Sequence, residues 1–304
     1  MSAPASRSAA TGFRIRRLEK PEEFRQVDAV HRAVWGEDAT DAVPTPLQRA
    51  VQDNGGLVLG GFADIHLAGY AVAFLGWDGA ALYQYIHSTA VRPEYQNHHL
   101  GFQMHSSLRQ EVLQLGLSEV RLAFDPLQSR NAWLFVHRLG GLPDRYLHHY
   151  YGQLPDAVNR GIESDRIRLI WSLASPRVER RLEGTYPTPA EDEARWRSAT
   201  PLIRTEPGES GVRLPVEVQE PSGPVAHLEI PFDFALVREH EPAALGRWRH
   251  ATRDAFRAAA DLGYSVDDFA IVSVEHERRS FYLLSPTPAA ASEPVAGGPS
   301  PGRG

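Results

Sequence analysis

The stretch HSTAVRPEYQNHHLGFQMH, residues 87–105, decides the fold. It joins a strand predicted over 80–91 to a helix predicted over 100–115, which Gly116 can end. The helix carries one apolar stripe at helical spacing, made of Leu100, Met104, Leu108, Val112 and Leu115. A strand, a tight loop and a helix N-terminus form an anion site, because the first N–H groups of a helix have no partner within it. A pyrophosphate would fit there without any charged side chain.

Length and composition are those of a globular chain. The 304 residues predict two domains or one elaborated domain, since a domain usually has roughly 100–200 residues. The net charge of −6 argues against a nucleic-acid partner. No apolar run approaches the roughly 20 residues of a membrane span, so no membrane partner is expected. The absence of cysteine excludes disulfides and thiolate metal sites. Because the N-terminus has no apolar signal segment, we expect a cytoplasmic location.

The predicted elements divide the chain into a larger and a smaller α/β part. Residues 12–173 predict a strand, two helices, a three-strand antiparallel meander, a helix, a parallel strand, a short helix over 130–139 and a strand pair. Ser129 is the predicted cap of that short helix. The remaining segments are predicted as a disordered tail (1–11), a linker or surface helix (174–200), a smaller α/β unit (201–284) and a second disordered tail (285–304).

Three motifs carry a resemblance to a known family. They are IHSTAVRPEYQ (86–96), FDPLQSRNAW (124–133) and YYGQLPDAVNRGIESDR (150–166). With the element order over 12–173, they resemble the GNAT superfamily of acyl-CoA-dependent N-acyltransferases, and more narrowly a subgroup of predicted GNAT acetyltransferases with a C-terminal extension. The resemblance implies an α/β (α+β) fold with a mixed, mostly antiparallel central sheet flanked by helices.

The resemblance also assigns the loop after the strand 80–91. In the family this loop reads Gln/Arg-x-x-Gly-x-Gly/Ala and holds the CoA pyrophosphate; Gln96 and Gly101 match it. His99 stands at the first glycine position, where histidine would adopt a positive φ at some cost. In the family the strand before the loop splays from its neighbour and pairs with pantetheine. The implied CoA-binding residues are Ala90, Val91, Gln96, Asn97, His98, His99, Leu100, Gly101, Phe102 and Asn131.

Two side chains are candidates for the base of a direct transfer, in which a deprotonated amine attacks the thioester and expels CoA thiolate. His87 is favoured because imidazole titrates near neutral pH, and it faces the cleft if Tyr85 and Thr89 do. The alternative for His87 is a buried histidine bonded to a neighbouring strand. Asp125 is a second base or a substrate anchor, or a turn residue before proline. Val136 stands where many family members have a tyrosine acid, which leaves the acid unassigned.

The sequence therefore predicts an enzyme that uses acetyl-CoA or another acyl-CoA as cosubstrate and acylates a small amine, an amino acid being one candidate. His99 and Val136 favour the alternative of a non-catalytic acyl-CoA-binding or regulatory protein, and a structural protein without CoA is a third reading. The histidines lack a metal-motif spacing, so no metal is expected. Three tyrosines either line an acceptor pocket or belong to the core: Tyr146, Tyr150 and Tyr151. The acceptor and the oligomeric state, including a homodimer, stay open.

Overall fold

A computed structural model describes residues 12–39, 42–208 and 210–287. The tail predicted over 1–11 lies outside the described residues, as does the tail predicted over 285–304 except its first three residues. The N-terminal part contains β1 (Arg14–Arg17), α1 (Pro21–Trp35), α2 (Thr45–Asp53), β2 (Leu57–Ala63), β3 (His66–Trp77), β4 (Leu82–Val91), α3 (Leu100–Gln114), β5 (Glu119–Phe124), α4 (Ser129–Ala132), β6 (Leu142–Leu147) and β7 (Arg166–Ser172).

These strands form one seven-stranded sheet in the order β1-β2-β3-β4-β5-β7-β6. Every neighbouring pair is antiparallel except β4 and β5, which are parallel because α3 provides the crossover between them. The predicted mixed, mostly antiparallel sheet flanked by helices is confirmed.

Helix α3 is seated closely on this sheet because two strand residues lack side chains. A Cβ at Gly61 would lie 2.6 Å from Leu100, and a Cβ at Gly69 would lie 2.7 Å from the carbonyl oxygen of Ala90 and 3.2 Å from Met104. Leu100 and Met104 are fully buried, and burial of such a side chain stabilises the fold by about 1.5–3 kcal/mol. The glycines thus fix the start of α3 beside the end of β4.

The segment after β5 differs from the predicted single helix over 130–139. The α-helix α4 ends at Ala132, and a π-helical segment, Trp133–Arg138, follows. Ser129 does not cap the helix, because its hydroxyl is hydrogen-bonded at 2.7 Å to the hydroxyl of Ser280. The hydroxyl of Ser129 thus contacts Ser280 of the C-terminal part instead of an N–H group of its own helix.

Residues 174–200, predicted as a linker or surface helix, form two helices that pack on the rest of the fold. They are α5 (Pro176–Leu182) and α6 (Pro189–Ser198). Val178, Arg181 and Asp192 are buried. This stretch is therefore part of the packed structure, although its composition is charged and rich in proline.

The C-terminal part has its own sheets. Its elements are β8 (Thr200–Pro201), β9 (Ile203–Pro207), β10 (Arg213–Val218), β11 (Ala226–Ile230), α7 (Phe234–His240), α8 (Ala244–Asp261), β12 (Tyr264–Val274) and β13 (Glu277–Pro286). Four strands are ordered β12-β13-β11-β8, and β9 pairs with β10. The predicted smaller α/β unit is thus made of six strands and two helices among the described residues, and β13 extends into the tail predicted over 285–304.

One apolar core runs through both parts of the chain. The same cluster contains Leu108 and Trp171 from the N-terminal part and Trp248 and Tyr282 from the C-terminal part. Among the residues that the structure describes, none of the helices combines the length and apolar character needed to cross a bilayer.

Candidate active site

The parallel strands β4 and β5 separate halfway along β4. Their pairing joins Gln84–Ile86 to Val120–Leu122, and in the described structure residues 87–91 pair only with β3. The edge of β4 that would face β5 is therefore open where β4 enters the loop toward α3. The resemblance implied such an opening for the pantetheine arm.

The hydrogen-bonding alternation of an antiparallel pair tells which backbone groups face this opening. The N–H of Arg92 donates to the carbonyl of Ala68 at 2.9 Å, and Ala90 is paired with Tyr70 in the same register. The backbone groups of Ala90 therefore point toward β3, whereas those of Val91 point toward the opening. The Val91 carbonyl there accepts a hydrogen bond of 3.0 Å from the Gln96 side chain.

The loop into α3 contains two residues with left-handed backbone. Asn97 has φ 64°, and His99 has φ 61°, as its position in the loop predicted. The first backbone hydrogen bond of α3 runs from the N–H of Gln103 to the carbonyl of His99 at 3.0 Å. The N–H groups of Leu100–Phe102 therefore have no partner within the helix and are directed out of its N-terminus. His98 is exposed on this loop.

Gly101 has open space where a side chain would begin. A Cβ there would meet only Leu134, at 3.5 Å, which is an ordinary contact. Packing within the protein therefore does not require a glycine at this position, whereas close approach of a ligand would.

His105 anchors the same helical turn. Burial lowers the pKa of His105 to about 4, so its ring is neutral at pH 7. Its Nδ1 lies 2.7 Å from the carbonyl oxygen of Gly101, and therefore Nδ1 carries the proton and donates. Its Nε2 lies 3.5 Å from the Thr89 hydroxyl of β4. This role could not be predicted from the sequence, because it depends on the packing of His105 against Thr89 of β4.

Side chains from the segment after β5 border the loop. Arg130 donates to the side-chain oxygen of Gln96 at 2.8 Å, and Asn131 is half-buried beside it in α4. The guanidinium of Arg138 lies 4.7 Å from the ring centre of Phe102. Two arginines thus add positive charge to a helix N-terminus, which suits an anionic ligand.

His87 occupies a β-bulge in β4. Ser88 pairs with Val72 and Ile86 with Ala73, so His87 is the additional residue between them. The bulge places Tyr85 and Thr89 on opposite faces of the sheet. His87 was expected to face the cleft together with both of these residues, and it shares a face with Tyr85 only. The His87 ring is exposed and lies 6.3 Å from the Phe74 ring, on the face that carries Tyr85.

Ser88 follows His87 beside the opening. Its hydroxyl is buried and has no hydrogen-bond partner among the described residues. Its place beside the opening could not be predicted from the sequence, because a one-residue bulge is defined by the pairing with the neighbouring strand and not by the alternation within β4.

Asp125 is not available as a base. Arg249 donates to both of its carboxylate oxygens, at 2.8 and 2.7 Å, and the N–H of Leu127 donates to Oδ1 at 2.9 Å. Burial alone would raise the pKa of Asp125, but the charge and hydrogen bonds of Arg249 outweigh it and hold the pKa below the ordinary value. The turn alternative fits, and the carboxylate also joins the two parts of the chain.

Val136 is fully buried, so the residue at the position of the family's tyrosine supplies no acid. Instead, aromatic residues gather on the Tyr85 face. The phenols of Tyr85 and Tyr151 lie near each other, and burial raises the pKa of both, so both stay neutral at pH 7. Tyr150 packs on Tyr151 with ring centres 4.7 Å apart, and both are substantially exposed.

Tyr146 belongs to a different environment. Its hydroxyl donates to Asp165 at 2.7 Å, and its ring packs on Phe256 with centres 5.4 Å apart. The core alternative therefore fits Tyr146, whereas Tyr150 and Tyr151 form an open wall.

One group of side chains has the spacing of a metal site. His148, Glu163 and Asp165 offer ligand atoms within 4.8 Å of one another. Arg253, however, donates to both oxygens of Asp165, at 2.8 and 3.0 Å, and also to Glu163. The guanidinium already supplies the positive charge, so these residues do not fit a metal ion.

Comparison with known families gives a match over residues 15–140, to the model described as the acetyltransferase (GNAT) family. This range is less than half of the chain and includes β4, the loop and α3. No curated protein matches the chain.

Solved structures resemble about half of the chain. The ribosomal-protein-S18-alanine N-acetyltransferase of Escherichia coli is 18% identical, with TM-score 0.42 over 54% of this chain and 96% of its own. The acetyltransferase YncA of Salmonella typhimurium, solved with acetyl-CoA, is 20% identical, with TM-score 0.42 over 54% and 97%. An aminoglycoside 6'-acetyltransferase type Ii is 18% identical, with TM-score 0.42 over 53% and 97%.

Proposed function

We propose that the part of the chain that matches the acetyltransferase (GNAT) family model, residues 15–140, belongs to an acyltransferase, and that the protein transfers an acyl group from acyl-CoA directly to a small amine. Acetyl-CoA is the expected cosubstrate, with other short acyl-CoAs as variants. The observation that carries the proposal is that the open N-terminus of α3 lies beside the end of β4 that pairs with β3 but not with β5.

The two halves of this opening suit the two ends of an acyl-CoA. The pyrophosphate would accept hydrogen bonds from the N–H groups of Leu100–Phe102, and Arg130 would compensate its charge. The pantetheine arm would run along the free edge of β4 and meet the backbone of Val91. This arrangement would deliver the thioester to the place where β4 and β5 separate.

The amine would approach from the face of the sheet that carries Tyr85. Tyr150 and Tyr151 border this face, and their hydroxyl groups and ring surfaces suit a small organic amine, an amino acid being one candidate. His87 lies on the same face, at the bulge, and is the expected acceptor of the amine proton. The Ser88 hydroxyl lies next to it and is a donor for the leaving sulfur.

A second candidate function is an acyl-CoA-binding protein without catalysis. The valine at position 136, which has no ionisable group, and the pairing of Asp125 with Arg249 favour it, because neither position then offers a group free to move a proton. The two functions share the CoA site and differ in turnover.

A thermal-shift and thiol-release experiment tests the proposal. Acetyl-CoA should raise the melting temperature, and a panel of small amines should contain at least one that releases free CoA. A thermal shift without any thiol release would favour the binding protein. No shift with any acyl-CoA would refute both functions.

A further inference from the structure

Helix α8 of the C-terminal part presents two arginines to the candidate site. Arg249 and Arg253 are four residues apart and therefore share one face of the helix. Both are buried, at 1% and 8% exposure, and each makes a two-oxygen ion pair with a residue of the N-terminal part. A planar guanidinium bound at two oxygens fixes orientation as well as distance.

The Arg249 contact leads to the CoA side. Asp125, held by Arg249, closes a turn in which Leu127 N–H donates to its side chain and Gln128 N–H to its carbonyl at 3.0 Å. That turn starts α4, whose Arg130 donates to Gln96 in the loop before α3. Hydrogen bonds, together with the short chain segment 128–130, thus connect α8 to the loop before α3.

The Arg253 contact leads to the acceptor side. Asp165, held by Arg253, accepts the N–H of His149 at 3.0 Å. The adjacent Ser164 accepts the N–H of Tyr151 at 3.0 Å and donates to the carbonyl of Gly152 at 2.7 Å. Tyr151 in turn lies close enough to Tyr85 on β4 for the two phenols to influence each other's pKa.

We propose that α8 is a positioning element of the acyltransferase site, in which Arg249 sets the geometry of the acyl-CoA side and Arg253 that of the amine side. This inference rests on the proposed function. It gives the C-terminal part a role in the site: both walls of the cleft are held from one helix outside the family match. The two arginines act through Asp125 and Asp165.

Lysine substitutions separate position from charge. Arg249→Lys and Arg253→Lys keep the positive charge but replace a fork by a single ammonium, so each is the control for the other. CoA binding is measured by calorimetry, local opening by hydrogen–deuterium exchange, and global stability by the melting temperature. Turnover is measured with acetyl-CoA and 2-phenylethylamine.

Arg249→Lys is expected to weaken CoA binding by about three- to tenfold and to raise exchange in 125–131, with exchange in 148–152 unchanged. Arg253→Lys is expected to leave CoA binding within about twofold, to raise exchange in 148–152, and to raise KM for the amine rather than for acetyl-CoA. If Arg249→Lys does not fold, the neutral pair Asp125→Asn with Arg249→Gln takes its place.

The outcomes are separable. Unchanged CoA affinity in folded Arg249→Lys, or equal losses in both lysine variants, would overturn the inference. Wild-type protein that does not bind CoA would instead refute the proposed function. Selective exchange in the two segments would still support positioning by α8, and uniform exchange would overturn it.

Discussion

Replacing His99 by glycine tests whether its side chain is tolerated or used. His99 has φ 61° and ψ 10° and makes no side-chain capping hydrogen bond. An L-residue in this left-handed conformation is strained by about 1–2 kcal/mol, and glycine is not. Glycine also gives the unfolded chain more freedom, which opposes the gain by about 0.5–1 kcal/mol. His99→Gly should therefore be neutral to about 1.5 kcal/mol more stable.

The neighbouring His98 provides the matched control. It is an exposed histidine of the same loop that is not among the residues with positive φ. His98→Gly should lose stability only through the greater freedom of glycine in the unfolded chain. The free energies of unfolding of the two variants should therefore differ by the backbone strain at His99 alone, about 1–2 kcal/mol. Chemical denaturation gives the free energies of unfolding, and calorimetry gives the CoA affinities. The reasoning is refuted if His99→Gly is the less stable variant. A loss of CoA affinity above about tenfold in His99→Gly would make the imidazole a ligand contact.

Three further predictions concern the loop, the proton and pH. Gly101→Val should lower CoA affinity by at least about tenfold with the fold intact. Gly246→Val in α8, where a Cβ also meets open space, should leave CoA affinity unchanged. Equal CoA affinities of the two variants by calorimetry would refute the assignment of the pyrophosphate to this loop. His87→Ala should lower kcat by about 10²–10⁴-fold with nearly unchanged CoA affinity. Asp125→Asn should instead lower the melting temperature, because it breaks a buried ion pair with Arg249. A joint loss of stability and CoA binding in His87→Ala would indicate that His87 has a structural role. Burial raises the pKa of Asp192 from 3.8 to about 6, so between these pH values the folded state holds a proton that the unfolded state has lost, and the stability of the fold falls as the pH rises through this range. Asp192→Asn should therefore raise the melting temperature more at pH 8 than at pH 4. An equal gain at both pH values would contradict the raised pKa.

The sequence predicts the elements whose signal is local. The apolar stripe of α3, the meander β2–β4 and the crossover to β5 follow from periodicity and short links. Positive φ at His99 follows from its place in the loop, and the structure has it. These features form the loop and helix N-terminus to which we assign the anion site, so the proposed position of that site depends on local signals.

The parts that the sequence could not predict depend on distant partners. Asp125 is 124 residues from Arg249, and Ser129 is 151 residues from Ser280. The bulge at His87 is defined by its pairing with β3, so the alternation within β4 alone assigns Thr89 to the wrong face. The choice of the side chain in β4 that acts as the proton acceptor therefore depends on whether the strand contains this one-residue bulge.

The most direct test of the central claim is calorimetric titration of the full chain with CoA, beside the same titration of Gly101→Val. The account predicts that the wild-type protein binds CoA with one site per chain and that Gly101→Val, folded to the same extent, binds at least about tenfold more weakly. Binding that is absent from the wild-type protein, or equal in the two proteins, would contradict the claim that the N-terminus of α3 holds the CoA pyrophosphate.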